Sequence, residues 1–279
     1  MWSNFHTHSH YCDGKGKILE YLTAASRSGV KQLGLSSHAP LPFVCKWCME
    51  TDAFPHYLQE IEDARLYYPE IEVYKGLEVD YIPGVISPGD YAPQLDYTIG
   101  SVHFVDKVAG SYWEIDNTHE IFHEGLNNIF GGDIRAAISR YYELTMEMVT
   151  NSPPNILGHM DKIKVNAADF FEESEPWYVD LVERTLKSIR ETGIIVEVNT
   201  RGVYKKKSPS TYPSPWILAR ILSLGIPITI NSDAHHPDDL TREFAATHHL
   251  LTKLGFKYLS TLENGIWNRM PLGSYGTDR

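Results

Sequence analysis

The sequence is poor in cysteine and has no long apolar run. Its 279 residues include three cysteines, Cys12, Cys45 and Cys48, which are too few for a disulfide framework. Cys45 and Cys48 form a CKWC pair, but the second cysteine pair of a structural zinc site is absent, so we expect reduced thiols in a loop. No run of about 18 apolar residues predicts a membrane span, and the first residues do not resemble a signal peptide. These absences favour a cytoplasmic location.

Positive charge is also scarce. The chain has 25 Lys and Arg residues against 36 Asp and Glu residues, and a net charge of −11 argues against nucleic-acid binding by bulk attraction. The one basic run, residues 205–207, is interpreted as a solvated loop. No linker, low-complexity stretch or internal repeat divides the sequence, so residues 1–279 are expected to form a single domain. The sequence does not predict an oligomeric state.

Short apolar or β-branched runs alternate with longer amphipathic segments along the chain. A strand followed by a helix, repeated about seven times, indicates parallel strands joined by helical crossovers. The strands are predicted at residues 2–8, 32–38, 72–82, 97–104, 155–160, 194–200 and 227–233. The helices are predicted at about 17–28, 53–67, 118–150 (broken at Gly131 and Gly132), 175–192, 214–224 and 239–254.

Titratable residues stand at or near the ends of most predicted strands. An open doubly wound sheet and a closed β/α barrel both fit the alternation. Side chains at the ends of many strands converge on one point only if the strands form a ring, so we predict an α/β fold of the TIM-like barrel type. The site should lie at the C-terminal ends of the strands. The residues concerned are His6, His8, His38, Glu78, His103, His159, Asp233 and His235.

These residue types indicate a site for divalent metal ions. Imidazole and carboxylate ligands without thiolate suit Zn²⁺, Mn²⁺ or Fe²⁺. His6 and His8 alternate along a strand and project to the same face, so both can reach one ion, and Asp233 with His235 repeats this spacing. Because one ion takes three or four protein ligands, the set is large enough for two or three ions.

A cluster of divalent ions would create a positive site in an acidic protein. Three ions would outweigh the negative charges of Asp13, Glu78 and Asp233, and the excess positive charge would attract an anion, above all phosphate. Metal clusters also generate hydroxide near neutral pH. The residues therefore favour metal-dependent hydrolysis of a phosphate ester.

Seven motifs of the chain resemble the PHP (polymerase and histidinol phosphatase) superfamily, and within it the histidinol-phosphatase branch. The resemblance covers residues 4 to about 240. It implies a distorted (β/α)₇ barrel and the hydrolysis of L-histidinol phosphate in histidine biosynthesis. The motifs are HTHSHYCDG, SSHAP, GLEVDYIPG, DYTIGSVHF, ILGHMDKIK, EVNTRG and PITINSDAHHP.

The resemblance also implies a ligand set. Asp233, Glu78 and His235 are the side chains expected to act in catalysis, where a hydroxide bridging two ions attacks phosphorus. A first ion is expected on His6, His8 and Asp233, a second on Glu78, His103 and His159 with Glu78 bridging the two, and a third on His38, His235 and a residue of the opening motif. Family members differ at that last position, and here Asp13 is favoured over His10.

Substrate contacts are expected from residues that follow the strands. Arg201 and Lys164 are predicted to hold the phosphate at the mouth of the site, with Lys205 a weaker candidate, although each could equally be an ordinary surface charge. His10 is expected either to touch the phosphate or to lie exposed at the rim. The loop of residues 40–50 could form a lid or a pocket for the imidazole, or could simply pack or face solvent.

Two alternatives stay open at this point. A PHP phosphoesterase that acts on another phosphate ester or a nucleotide would have the same barrel and the same metal ligands. A non-catalytic PHP-like regulatory module would have lost ligands, whereas every ligand position of the pattern is filled here. The favoured partner is a small-molecule phosphate ester, with neither a nucleic acid nor a membrane expected.

Overall fold

Seven parallel strands with helices between them form a nearly closed barrel in the computed structural model, which describes residues 1–276. The strands are β1 (Trp2–Asn4), β2 (Val30–Leu35), β3 (Glu72–Asp80), β4 (Tyr97–Ser101), β5 (Phe104–Val108), β6 (Ser111–Glu114), β7 (Ile156–Leu157), β8 (Ile195–Asn199), β9 (Ile228–Asn231), β10 (Tyr258–Glu263) and β11 (Ile266–Pro271). The α-helices are α1 (Ile18–Ser28), α2 (Phe54–Ala64), α3 (Pro88–Tyr91), α4 (His119–Phe130), α5 (Ile134–Asn151), α6 (Lys164–Ala167), α7 (Pro176–Thr192), α8 (Arg201–Tyr204), α9 (Pro215–Leu224) and α10 (Phe244–Leu254).

The seam between β1 and β9 closes the ring. The barrel strands are neighbours in the order β1-β2-β3-β4-β7-β8-β9. Across the seam, the His8 N–H donates to the Ala234 carbonyl at 2.8 Å, and the Ala234 N–H donates to the His6 carbonyl at 3.2 Å. The side-chain oxygen of Asn231 accepts from the Phe5 N–H at 2.8 Å. These bonds confirm the predicted barrel over an open sheet.

An aromatic core fills part of the barrel interior. The Tyr97 hydroxyl donates to the Phe5 carbonyl at 2.5 Å, and the two rings pack edge to face. Gly34 and Gly76 make room for this tyrosine, because an added Cβ would lie 2.1 Å from its Oη at Gly34 and 2.3 Å from its Cζ at Gly76. The glycines on β2 and β3 are thus required by the close approach of one ring.

The predicted helices are found with small changes at their ends. The break inside residues 118–150 is confirmed, because Gly131 and Gly132 both have positive φ angles and the Asp133 side chain caps α5. The last helix begins at Phe244 rather than at residue 239, since Glu243 has a φ of 62°. Within residues 1–276, no helix is both long enough and apolar enough to cross a membrane.

Two antiparallel hairpins, β5–β6 and β10–β11, were not predicted. Each turns through two residues with positive φ, Ala109 with Gly110 in the first and Asn264 with Gly265 in the second, which is the pattern of a type I′ turn. Trp267 of β11 packs against the aromatic core, with its ring centroid 5.1 Å from that of Phe5. The second hairpin therefore covers the aromatic end of the barrel interior.

Candidate metal centre

The polar residues that follow the barrel strands converge around Glu78, which lies near the end of β3 and is almost fully buried. Its Oε2 lies 3.1 Å from His6 Nε2 and 3.1 Å from His38 Nδ1. Its Oε1 lies 2.9 Å from His159 Nε2 and 3.7 Å from His103 Nε2. One carboxylate thus faces imidazoles that come from four different strand ends.

Asp233 and Asp13 provide two further carboxylates to the same cluster. Asp233 Oδ1 lies 3.2 Å from His8 Nε2 and 3.4 Å from His235 Nδ1. Asp13 comes from the loop before α1, and its Oδ2 lies 3.2 Å from His235 Nε2. Of the two candidates in the opening motif, the structure brings Asp13, and not His10, to His235.

The donor atoms fall into sets of the size that a metal ion uses. In each set, one ligand atom per residue lies within 4.8 Å of all the others. The sets among the described residues are His8–Asp13–His38–His235, His6–His159–Asp233, His6–His8–Glu78, His38–Asp80–His103 and Glu78–His103–His159. All eight strand-end residues and Asp13 belong to at least one of them.

Several of these atoms are buried without a hydrogen-bond partner among residues 1–276. They include His6 Nε2, His8 Nε2, His38 Nδ1 and Asp13 Oδ1. A buried polar atom left unpaired costs about 1–3 kcal/mol, so a group of them in one place needs a compensating ligand. Nitrogen and carboxylate lone pairs that face a common point fit a divalent cation.

Two buried carboxylates orient two of the imidazoles by hydrogen bonds to the Nδ1 atoms. Glu197 Oε1 accepts from His6 Nδ1 at 2.6 Å, and Asp80 Oδ1 accepts from His103 Nδ1 at 2.9 Å. Each bond fixes a proton on Nδ1 and directs Nε2 at the cluster, where it can bind a metal ion when deprotonated. Sequence reasoning missed both acids, although a Glu in the apolar run IIVEVN is a residue that must find a buried partner.

The charges of the cluster follow from burial and from these neighbours. Burial and the nearby His235 lower the pKa of His8 to about 4. Burial and the nearby His8 lower the pKa of His38 to about 3. Burial alone would raise the pKa of Glu78, but its histidine neighbours, His6 first, hold it well below its ordinary value. Near neutral pH, these two imidazoles are therefore neutral and the carboxylate is ionised, which are the forms that bind metal.

The predicted phosphate contacts are only partly where they were expected. Arg201 lines a cavity of about 250 Å³ next to the cluster, and its Nη1 donates to the Asp233 carbonyl at 2.8 Å. Lys164 does not line it, because its buried ammonium binds Asp161 at 2.7 Å. Lys162 lines the cavity instead, with Nζ 3.3 Å from His103 Nε2.

His10 does not point into the cavity. Its side chain is 39% exposed, and Nε2 lies 3.8 Å from the Glu60 carboxylate on the outer surface. The prediction that it could touch the phosphate relied on strand alternation, but β1 ends at Asn4 and the chain turns after Ser9. The other prediction, an exposed position, agrees with the structure. The weaker candidate Lys205 pairs with Asp239 at 2.8 Å.

The loop after β2 differs from the expectation of two free thiols. Cys45 and Cys48 are joined as a disulfide, with their Cα atoms 5.4 Å apart. This Cα separation is typical of a disulfide, and a tight loop brings residues three apart within reach. Trp47, between the two cysteines, lines the same cavity as Arg201, together with Glu114 and Asp116.

Comparisons with known proteins agree with this arrangement. The sequence model of the PHP domain matches residues 4–201. A "Probable histidinol-phosphatase" of Deinococcus radiodurans is 29% identical over 251 residues, which are 86% of this chain and 88% of that protein. The histidinol-phosphatase of Bacillus subtilis is 26% identical over 260 residues, covering 86% and 96% of the two chains. A histidinol phosphate phosphatase of Lactococcus lactis, solved with zinc, L-histidinol and phosphate, has a TM-score of 0.72 at 19% identity, covering 96% of this chain and 98% of that one.

Proposed function

The chain belongs to the PHP domain family, and from this membership we propose that it is a metal-dependent phosphomonoesterase that hydrolyses L-histidinol phosphate to L-histidinol and phosphate. The observation that carries the proposal is the convergence of six imidazoles and three carboxylates at the open end of the barrel, next to a cavity with cationic side chains. The histidinol-phosphatase relatives that match most of the chain support the choice of substrate.

Two to three divalent ions are the cofactor in this proposal, and zinc is the first candidate because the Lactococcus lactis structure contains it. His6, His8, Glu78 and Asp233 would hold the first ion, and Glu78 with His103 and His159 the second. Asp13, His38 and His235 would hold the third. Divalent ions bound there supply the Lewis acidity that generates hydroxide near neutral pH and stabilises charge on phosphate oxygens.

Arg201 and Lys162 are the residues that we assign to the substrate phosphate. Both side chains line the cavity beside the cluster, and both are largely buried, so their charges are weakly screened by solvent. Lys162 Nζ lies 3.0 Å from Asp116 Oδ2, a contact that one ammonium can keep while it donates to a phosphate oxygen. Charge-assisted bonds of this kind hold the ester in one orientation.

Other residues that line the cavity suit the leaving alcohol of this substrate. L-Histidinol carries an ammonium group and an imidazole, and these residues offer the carboxylates of Glu114 and Asp116 and the ring of Trp47. Glu114 is held by Asn117 Nδ2 at 2.7 Å. Acidic and aromatic side chains favour a cationic leaving alcohol over a neutral one such as a nucleoside.

The experiment is a comparison of substrates on the metal-loaded protein. Phosphate release from L-histidinol phosphate should exceed release from p-nitrophenyl phosphate and from a nucleoside monophosphate in kcat/KM. The E78Q variant, which removes the charge at the centre of the cluster, is the inactive control. Equal kcat/KM for all three esters would leave only a general phosphoesterase, and no activity on any ester by the loaded protein would contradict the proposal.

A further inference from the structure

The loop of residues 41–50, here called the cysteine loop, connects the disulfide to the metal centre. Trp47 lies between Cys45 and Cys48 in sequence, so the disulfide closes a short ring around it. Its indole packs edge to face on two candidate ligands, with ring centroids 4.5 Å from His38 and 5.5 Å from His103. A change in the conformation of this loop would therefore reach the wall of the cavity directly.

Side-chain packing and the disulfide, rather than backbone hydrogen bonds, hold the cysteine loop in place. Trp47 stacks on Phe104 with ring centroids 5.5 Å apart, and Phe43 stacks on Tyr112. No backbone group of residues 41–48 makes a backbone hydrogen bond to another part of the described chain, and the first such bond of the loop is from the Met49 N–H to the His38 carbonyl. Val44 is 95% exposed. The indole N–H of Trp47 lies 3.4 Å from Glu114 Oε2, which is a long hydrogen bond. The disulfide thus adds a covalent constraint to this packing on the backbone that carries Trp47.

The two cysteine residues differ in burial. Cys45 is half-buried, whereas Cys48 is buried against the body of the protein. Thiol–disulfide exchange begins when a thiolate approaches one sulfur, so we take Cys45, the less buried residue, as the site of attack. A small dithiol reductant can therefore reach this disulfide without opening the barrel.

We propose that the Cys45–Cys48 disulfide is a redox-modification site that controls the binding of substrate through the position of Trp47, an inference that rests on the proposed function. A thiolate of a dithiol reductant attacks the Cys45 sulfur, the S–S bond breaks, and Cys48 leaves as a thiolate that takes up a proton. The second thiol of the reductant then resolves the mixed disulfide, so that the reductant is oxidised by two electrons. A disulfide-class oxidant reverses the exchange.

Reduction loosens the wall and leaves the metal ligands in place. With the ring open, the backbone at Trp47 gains freedom against its packing on Phe104, so the aromatic contact with the substrate alcohol becomes less ordered. Loss of such a contact raises KM by about threefold to tenfold. The turnover number changes much less, because Trp47 does not touch the atoms that react.

The test compares the oxidised and reduced forms of the metal-loaded enzyme. A phosphine reductant is used, thiols are counted by mass shift after alkylation, and bound metal is measured in both forms. We expect two thiols to appear on reduction, KM for L-histidinol phosphate to rise, and the fluorescence of Trp47, taken as wild type minus W47F, to change. The C45S/C48S variant, treated identically, should show the high KM with and without reductant.

Two results would overturn the inference. One is that both Cys45 and Cys48 react with the alkylating agent in protein that has not been treated with the reductant. The other is full reduction with no change in KM and none in Trp47 fluorescence. If neither form hydrolyses L-histidinol phosphate, the proposed function fails instead, and the fluorescence difference with inorganic phosphate bound still decides whether the disulfide controls Trp47.

Discussion

Substitution of Glu197 tests how the buried carboxylates set the tautomer and orientation of the candidate histidine ligands. Its Oε1 accepts from His6 Nδ1 at 2.6 Å and from Asn231 Nδ2 at 3.0 Å. Its Oε2 accepts from the His159 N–H at 2.9 Å and from Asn199 Nδ2 at 3.0 Å. All four partners donate, so E197Q, which has the same shape, must point an NH₂ group at two donors in either orientation.

Both orientations of the amide are unfavourable, for different reasons. If the amide nitrogen faces His6, Nδ1 must accept, the imidazole proton moves to Nε2, and that atom can no longer bind metal. If it faces His159, two buried donors lose their acceptor at about 1–3 kcal/mol each. We expect E197Q to weaken metal binding by about 10–100-fold, the range for partners of metal-ligating histidines.

The assay is competition of the metal-free protein with a chromophoric chelator for zinc, with thermal unfolding measured in parallel. D161N is the matched control, because Asp161 is also a buried acid but holds Lys164 and the Ser214 N–H rather than a histidine. The control should lower the melting temperature without changing zinc affinity. Unchanged zinc affinity in a folded E197Q protein would refute the reasoning about the tautomer.

Three further predictions concern the cavity, the metals and pH. K162M should lower kcat/KM for the phosphate ester by about 10–100-fold through the loss of one charge-assisted bond. K164M should mainly lower stability, because it leaves Asp161 buried without its ammonium partner. Similar kinetic losses in both variants would contradict this distinction, and K187M, on the exposed face of α7, is the control. Metal analysis of protein purified without chelator should find two to three equivalents of divalent metal, and dialysis against a chelator should lower the melting temperature; one equivalent or none would contradict the polynuclear site. In the metal-free protein, burial lowers the pKa of His103, but the carboxylates of Asp80 and Glu78 together raise this pKa from 6.5 to about 9. His103 therefore stabilises the fold fully below pH 6.5 and loses that effect as the pH rises to about 9. Urea unfolding of the metal-free protein across this range should show the decline, and D80N should remove much of it.

The convergence of the candidate ligands could be predicted because strand ends in a barrel meet at one face. His38, His103 and Asp233 each follow a strand, and no knowledge of their partners is needed to place them together. The acids behind the imidazoles could not be predicted in this way. Glu197 pairs with His6, which is 191 positions away. Residue patterns in a single sequence do not reveal contacts between residues so far apart.

The positions of Lys164 and His10 away from the cavity have a common cause. Both predictions assumed that a residue close to a strand end shares the direction of the strand-end ligand. After β7 the chain enters helical turns, where residues two apart differ in direction by about 200°, so Lys162 faces the cavity while Lys164 faces Asp161. His10 lies in a turn rather than on β1, and strand alternation does not apply to it.

The seam between β1 and β9 also has a consequence for how the protein folds. Its hydrogen bonds join residues more than 220 positions apart, and the candidate ligands on its two sides, His6 and His8 against Asp233 and His235, come from the two ends of the barrel sequence. Contacts between residues so far apart in sequence form late, because the conformational entropy of the whole intervening chain must be lost first. A nascent chain therefore carries only an incomplete ligand set until the last barrel strand is in place. Metal binding by residues from both sides of the seam would then stabilise the association of β1 with β9.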